Sequence, residues 1–486
     1  MTVKMKTKVL FALGAVSVLS LAALKRQRPV HAEPPAPVLS KDDATKIATE
    51  AYVFGYPLVT MHLTRAVVTN VARPTGSKAP VNQLANMKEY PDASFRDVTA
   101  PNADTLYSSA FIDLTKEPVV FAHPDMGERY FLFPMLDAYT NVVEVPGKRT
   151  TGGKAATYLL TGPGWQGTVP EGAKQLKLPT STVWLLGRTY CTGTKEDYAA
   201  VHALQAKLQL VPLSAWGKAY TAPAGTVDPK VNMKTAVRDQ VNALSGAEYF
   251  TLLAKLMREN PPAAADAPVV ARMAKLGIVP GQPFDAGKLG APIAAAVDAS
   301  PKAGLGRIKA RLEEEQKKLI NGWLVMVDTG DYGTDYVWRA VVTAVGLGAN
   351  RAQDAVYPFS EATAAGEKYS GQNQYVMHFP KGQLPPAKGF WSLTMYDDKA
   401  FFVKNPINRY SISERNDLQR NPDGSLDLRI QNEKPAGKGA NWLPAPKGPF
   451  TLMLRLYWPN EEKPSILDGS WKPPGVEIDK GTHAQR

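Results

Sequence analysis

From Ser40 onward the apolar positions follow a helical period. Ile47, Tyr52 and Val53 recur on one side, and beyond a break at 55–57 the series continues through Val59, Leu63, Val67 and Val68, predicting a kinked helix or a helix pair. Ser40 is placed to cap it, and Asp42 and Asp43 stand in the first turn, where the positive end of the helix dipole favours carboxylates. Between Thr105 and Arg188 the pattern shortens to apolar runs at 105–114, 118–121, 130–135, 155–160 and 183–190, cut by Gly and Pro. Such runs at a spacing of about 10–20 residues predict an antiparallel sandwich. Helical signals return between Thr194 and Val327: Thr194 precedes Glu196 and Asp197, Ser245-Gly-Ala-Glu248 fits a capping box, and Ile308, Leu312, Leu319 and Leu324 recur among charged residues. Within that stretch the Ala- and Pro-rich residues 261–302 read as an exposed connection. A short helix over 335–347 then leads into a second β-rich block, with runs at 374–379, 389–396, 426–431 and 450–457 and a turn at Asp423-Gly424.

Composition changes this picture little. The chain of 486 residues is 44% hydrophobic and 21% charged, as globular chains are. Its formal charge of +12 suggests nucleic acid until the charges are located. Lys4, Lys6, Lys8, Lys25, Arg26 and Arg28 supply half of the excess without an intervening acid, and the remaining charges are interspersed, so no nucleic-acid partner is expected. Those lysines open a segment with an apolar run over 9–24 and a small-x-small site at Val30-His31-Ala32. That order predicts an export signal over 1–32 and a periplasmic or secreted protein with no membrane span after cleavage. Lys25, Arg26 and Arg28 before the cleavage site leave an earlier cut near Ala22, or a retained anchor, open. The domain reading is then a Pro-rich tether (33–39), a helix with a β-sandwich (40–193), a helical segment (194–334), a second β domain (335–478) and a polar tail (479–486).

Motifs with known chemistry fail on context. Gly162-Pro-Gly164-Trp-Gln-Gly167 has the letters of a dinucleotide fingerprint, but the Pro170 and Gly172 that follow cannot open the helix that would hold a pyrophosphate. The single cysteine, Cys191, excludes an intrachain disulfide and a thiolate cluster and reads as a small buried hydrophobe. No two histidines stand at a metal-binding spacing, so no residue is assigned to a metal. Cofactors stay unassigned.

Two stretches carry candidate chemistry. Asn102, Asp104 and the hydroxyls up to Ser109 crowd the mouth of a predicted strand; they read either as a local Asx turn or as a ligand contact, with Asp104 as candidate base or metal ligand. Arg149, after Glu144, is the natural cationic partner and the second catalytic candidate. In the C-terminal block Trp391, Tyr396, Tyr410 and Trp442 are interleaved with Arg409 and Asn441. Core packing accounts for such rings, yet rings beside amides and Arg also suit a sugar, with aromatic faces on C–H groups and amides on hydroxyls.

The loop from Pro101 to Tyr107, Arg129-Tyr-Phe131, Arg149-Thr-Thr-Gly152 and Gly162-Pro-Gly-Trp165 resemble the N-terminal unit of an exported bacterial family known only as two domains of unknown function, numbered 1254 and 1214. Phe390-Trp-Ser-Leu-Thr-Met-Tyr-Asp397, Asn405-Pro-Ile-Asn-Arg-Tyr-Ser411, Asn441-Trp-Leu-Pro-Ala-Pro446 and Arg455-Leu-Tyr457 resemble its C-terminal unit. The resemblance implies a mainly β fold with a helical middle segment, an N-terminal β-sandwich and a C-terminal jelly-roll sandwich; it brings no catalytic residues. The functional expectation is an exported protein binding a polyhydroxylated or glycan-like small molecule between its β domains, through Asn102, Asp104, Arg149, Trp391, Tyr396, Arg409, Tyr410, Asn441 and Trp442. The alternatives are a hydrolase or lyase on such a substrate, with Asp104 as base or metal ligand, and an envelope scaffold that associates with copies of itself.

Overall fold

Ser40 caps the first helix as its sequence predicts, its Oγ accepting from the Asp43 backbone N–H at 3.1 Å. The computed structural model describes residues 39–96, 99–437 and 439–479. The expected signal, the tether except Leu39 and the polar tail except Asp479 lie outside them. The helix runs unbroken as Lys41–Val68, with Pro57 inside it. Burial of every residue from 51 to 61 replaces the expected break with packing. Tyr249 stacks on Tyr52 at 4.3 Å and donates to the Tyr52 carbonyl at 2.7 Å.

Helices Gly246–Glu259, Ala267–Ala274, Ala291–Glu315 and Tyr336–Gly346 build one core with this first helix. The capping box at Ser245 and the cap at Thr194 are present. The expected exposed connection over 261–302 is different: two helices occupy much of it. Ala291–Glu315 buries Ala296, Ser300, Gly304 and Ile308, a stripe at i, i+4 spacing whose small members give no hydrophobic signal. Gly304 is required there, because a Cβ would stand 2.3 Å from Tyr52 Cδ1.

Two β-sandwiches flank the helices. In the first, Thr105–Asp113 and Thr182–Tyr190 pair antiparallel along their whole length in a six-stranded sheet. It faces a four-stranded sheet in which Ala156–Thr161 and Ala173–Lys177 run parallel, a local exception to the antiparallel expectation. In the second, Ala387–Asp397 pairs with Phe450–Pro459 in a five-stranded sheet against four strands that include Tyr375–Phe379 and Leu426–Gln431. Successive side chains on a strand alternate faces. On the long strands one set fills each sandwich: Ala110, Ile112, Val183 and Leu185 in the first, Leu393, Met395, Leu452, Leu454 and Leu456 in the second. The other set would meet water in an isolated sandwich. Here the two sandwiches meet through those outer faces, with Tyr190 packed on Phe390 at 4.4 Å and Tyr130 on Tyr457 at 5.9 Å.

The helix Lys195–Gln205 is tied to the first sandwich by Arg129, whose Nη2 and Nη1 donate to Asp197 at 2.5 and 3.0 Å. Burial pushes the Asp197 carboxyl up, but the Arg129 donors and the Thr192 N–H outweigh it and hold it at about 2, below its ordinary 3.8. A carboxylate depressed in this way stabilises the fold above its unfolded value and loses that contribution as the pH falls toward 2. Asp197→Asn is therefore expected to cost on the order of 2 kcal/mol at neutral pH. In urea unfolding along a pH series, the gap from the unmodified chain should close between about pH 4 and 2; a gap that stays constant over that range contradicts the assignment.

Candidate functional site

Pro101 to Thr105 leads into the first long strand, and Asn102 shapes the turn. Its Oδ1 accepts from the Asp104 and Thr105 N–H groups at 2.7 and 3.0 Å, the Asx turn anticipated for this loop. Its Nδ2 reaches across the seam between the sandwiches and donates to Tyr457 Oη at 2.6 Å. Asp104 is wholly closed off from solvent. Its Oδ2 accepts from Ser392 Oγ at 2.6 Å, and its Oδ1 accepts from Ser411 Oγ at 3.3 Å and from Arg415 Nη2 at 2.8 Å. Arg415 Nη2 also donates to the Ala103 carbonyl and to Ser411 Oγ, both at 2.8 Å. Burial alone lowers the Arg415 pKa, but Asp104 beside it outweighs that and holds the guanidinium above its ordinary range.

The polar contacts continue along the seam. Arg455 donates to Thr394 Oγ1 and Tyr396 Oη, both at 2.5 Å, and Tyr396 donates to the Pro101 carbonyl at 2.7 Å. Burial pushes the Tyr396 phenol up to about 12 despite Arg455 beside it. Tyr457 Oη and Tyr357 Oη stand 3.0 Å apart, and Asn350 Nδ2 donates to Tyr357 Oη at 2.9 Å. Arg188 then donates to Asn350 Oδ1 at 2.7 Å, to the Leu186 and Gly348 carbonyls, and to Tyr107 Oη at 3.2 Å. Burial raises the Tyr357 and Tyr457 phenols.

The structure thus brings Asn102, Asp104 and Tyr396 into one seam and sets Tyr410 at its margin, stacked on Phe402 at 4.6 Å beside Ala103. Trp391 is not there. It is 3% exposed and packs on Phe379 inside the second sandwich, since it lies five positions before Tyr396 on one strand and an odd separation turns the two to opposite faces. Trp442, also 3% exposed, donates through Nε1 to the Gln431 carbonyl, and Arg409 donates to the Trp442 carbonyl at 2.8 Å. Asn441 ties the Gln419 backbone to the Asp427 carbonyl. These three hold the second sandwich together. Sequence reasoning passed over Ser392, Ser411, Arg415 and Arg188, and it named Tyr107, Arg455 and Tyr457 within the two loaded stretches without assigning them to the site. The available signal was parity: Ser392, Thr394 and Tyr396 share a face, and register places Ser392 opposite Arg455.

Arg149 is one residue layer away. Its Nε donates to Asp354 Oδ1 at 2.7 Å, and Tyr130 donates to the Asp354 carbonyl at 2.8 Å while its ring reaches Tyr457. A cavity of about 430 Å³ opens here, lined by Arg149, Val327, Asp328, Thr329, Asp331, Arg351 and Gln353. Its walls come from Arg149 in the first β domain, the segment between the helices Ala291–Glu315 and Tyr336–Gly346, and Arg351 and Gln353 just after the second of them. A second cavity of about 590 Å³ lies among the helices, where Arg272 pairs with Glu50 at 2.6 Å. Among the described residues no group of three or more His, Cys, Asp or Glu could hold a metal ion, and no helix is long and apolar enough to cross a membrane.

Two β-sandwiches joined through a buried polar seam and braced by helices define the class of protein. Within it, residues 81–212 match the model of a family described as protein of unknown function (DUF1254), and residues 354–461 match protein of unknown function (DUF1214); the chain carries the first N-terminally and the second C-terminally. The VPA0106 protein from Vibrio parahaemolyticus, known from a crystal structure, has the same fold, with a TM-score of 0.66 at 22% identity over 90% of this chain and 99% of that one. A protein from Burkholderia cenocepacia aligns at a TM-score of 0.42 and 12% identity over 90% of this chain and 95% of its own. No curated protein matches.

Both Asp104 oxygens are occupied, so its replacement tests anchoring. Asp104→Asn leaves the buried Arg415 guanidinium without a counter-charge and is expected to cost about 3–5 kcal/mol. Ser392→Ala removes one neutral donor and should cost about 1 kcal/mol. Urea unfolding of both variants checks this; equal, small losses would remove the ion pair from its role.

Proposed function

We propose that the chain is an exported binding protein for a polyhydroxylated or glycan-like small molecule, held in the cavity beside Arg149. The observation that carries this reading is the chemistry of that cavity's wall. Arg149 and Arg351 supply guanidinium donors, Asp328 and Asp331 supply carboxylate acceptors, Gln353 offers both, and Thr329, whose hydroxyl donates to the Asn350 carbonyl at 2.8 Å, can accept. The charges on the lining balance, which disfavours an ionic ligand, while a sugar hydroxyl both donates and accepts and suits a wall that mixes the two. The volume lies in the range of small-molecule sites, about 300–1,000 Å³. The basic, then apolar, order of the first 32 residues supports export.

Calorimetry of the full chain against a panel of neutral oligosaccharides and polyols, chosen from a glycan-array screen, tests the reading. Gln353→Ala and Asp331→Asn should each weaken the selected ligand at least about tenfold, as loss of a hydrogen bond at a charged or amide group does. Ser392→Ala, outside the cavity, should leave it unchanged. No saturable binding across the panel, or binding indifferent to both cavity variants, overturns the proposal.

A further inference from the structure

The seam holds more positive charge and more hydrogen-bond donors than its own acceptors satisfy. Arg188 and Arg455 are buried there and Arg415 lies at the edge, largely covered, and Asp104, paired with Arg415, is the one carboxylate in the network described above. Among the described residues neither Arg188, 4% exposed, nor Arg455, 2% exposed, lies within ion-pair distance of an acid; their acceptors are carbonyls, an amide and hydroxyls. Buried charges are ordinarily paired, because an unpaired one forfeits its hydration without compensation.

Proton accounting points the same way. Two backbone N–H groups occupy Asn102 Oδ1 and Arg188 occupies Asn350 Oδ1, which turns both amide nitrogens toward the phenols. Tyr457 Oη accepts from Asn102 and Tyr357 Oη accepts from Asn350, so one proton bridges the two phenols and the other has no acceptor in the network. The Tyr107 hydroxyl accepts from Arg188 Nε and its own proton is likewise left over. Arg455 Nε is buried with no partner, and its guanidinium lies over the Tyr357 ring at 5.5 Å. Tyr107 and Tyr357 are half-buried, whereas Arg188, Arg455, Tyr396 and Tyr457 around them are closed off, so these two residues form the accessible margin of the seam.

We propose that this margin of the seam binds an oxyanion, a carboxylate or a phosphate group on a small molecule, drawn by the charges of Arg188 and Arg455 and held against the Arg455 Nε–H and the Tyr107 and Tyr357 hydroxyls. The free Arg455 Nε–H and the leftover phenol protons are donors that such a group accepts, and its charge compensates the two arginines that lack an acid. The inference rests on the seam alone and stands or falls apart from the polyol cavity at Arg149.

Isothermal calorimetry of the full chain in chloride buffer, with sodium phosphate in one arm and sodium citrate in the other at matched ionic strength, tests it. One-to-one saturable binding of either anion is expected, the phosphate arm reporting a phosphate preference and the citrate arm a carboxylate preference. Arg455→Lys and Tyr107→Phe should each weaken the bound anion about tenfold or more, and Lys154→Ala, on the exposed surface of the first sandwich, should not. Should Arg455→Lys fail to fold, Tyr107→Phe, at a half-buried ring, carries the comparison. Heat that does not saturate with either anion is a general effect of these salts, and either that outcome or affinities unchanged in Tyr107→Phe overturns the proposal.

Discussion

Asp104 and Arg415 form an ion pair closed between two β-sandwiches, and the docking of the N-terminal half on the C-terminal half is organised around it. Such a pair adds little over well-packed apolar groups, since its attraction is spent against lost hydration, but it penalises any arrangement that separates the partners. It therefore acts as a registration device. With Asp104 fixed on Ser392 and Ser411, the loop at 101–104 aligns Asn102 with Tyr457 and the Pro101 carbonyl with Tyr396 and Arg455.

This arrangement explains why the outer faces of the long strands are neither polar nor freely apolar. Phe111, Trp184 and Leu186 on one side and Phe390 and Tyr457 on the other supply contact area, while Arg188, Arg455 and the tyrosine hydroxyls form a buried polar stripe through it. The two sites argued above differ in electrostatics for the same structural reason. The cavity at Arg149 draws acids and bases from three segments and is balanced, whereas the seam is built on strand faces whose polar members are arginines and phenols, with Asp104 as their acid.

Local signals were legible wherever the chemistry was local. The caps at Ser40, Thr194 and Ser245 and the Asx turn at Asn102 depend on contacts within a few residues, and each formed as read. The helix Ala291–Glu315 was legible only toward its C-terminal end at Ile308 and Leu312, because its earlier buried positions are mostly small and a hydrophobic period needs large side chains to register; Ala267–Ala274 buries Val269 and Met273 but is only eight residues long, too short for a period to stand out. For the site, the Asp104 loop and Tyr396 could be singled out by residue type. Trp391 could not be distinguished from Ser392 on that basis, since an aromatic ring fits a core and a ligand site equally well; only strand parity separates them.

The amino-acid sequence by itself determined most of the helical and β segments, the alternation of faces along each strand and the family that the chain resembles. All of these follow from interactions over short distances along the chain or from residue patterns. Which face of each long strand would fill a sandwich and which would meet the other half was decided only in three dimensions. Ser392 and Asp104 lie 288 positions apart, and their contact exists because two independently packed sheets leave complementary outer faces to be covered. No local pattern encodes that choice, since both faces of these strands carry large apolar residues and only the mutual docking of the sheets assigns them.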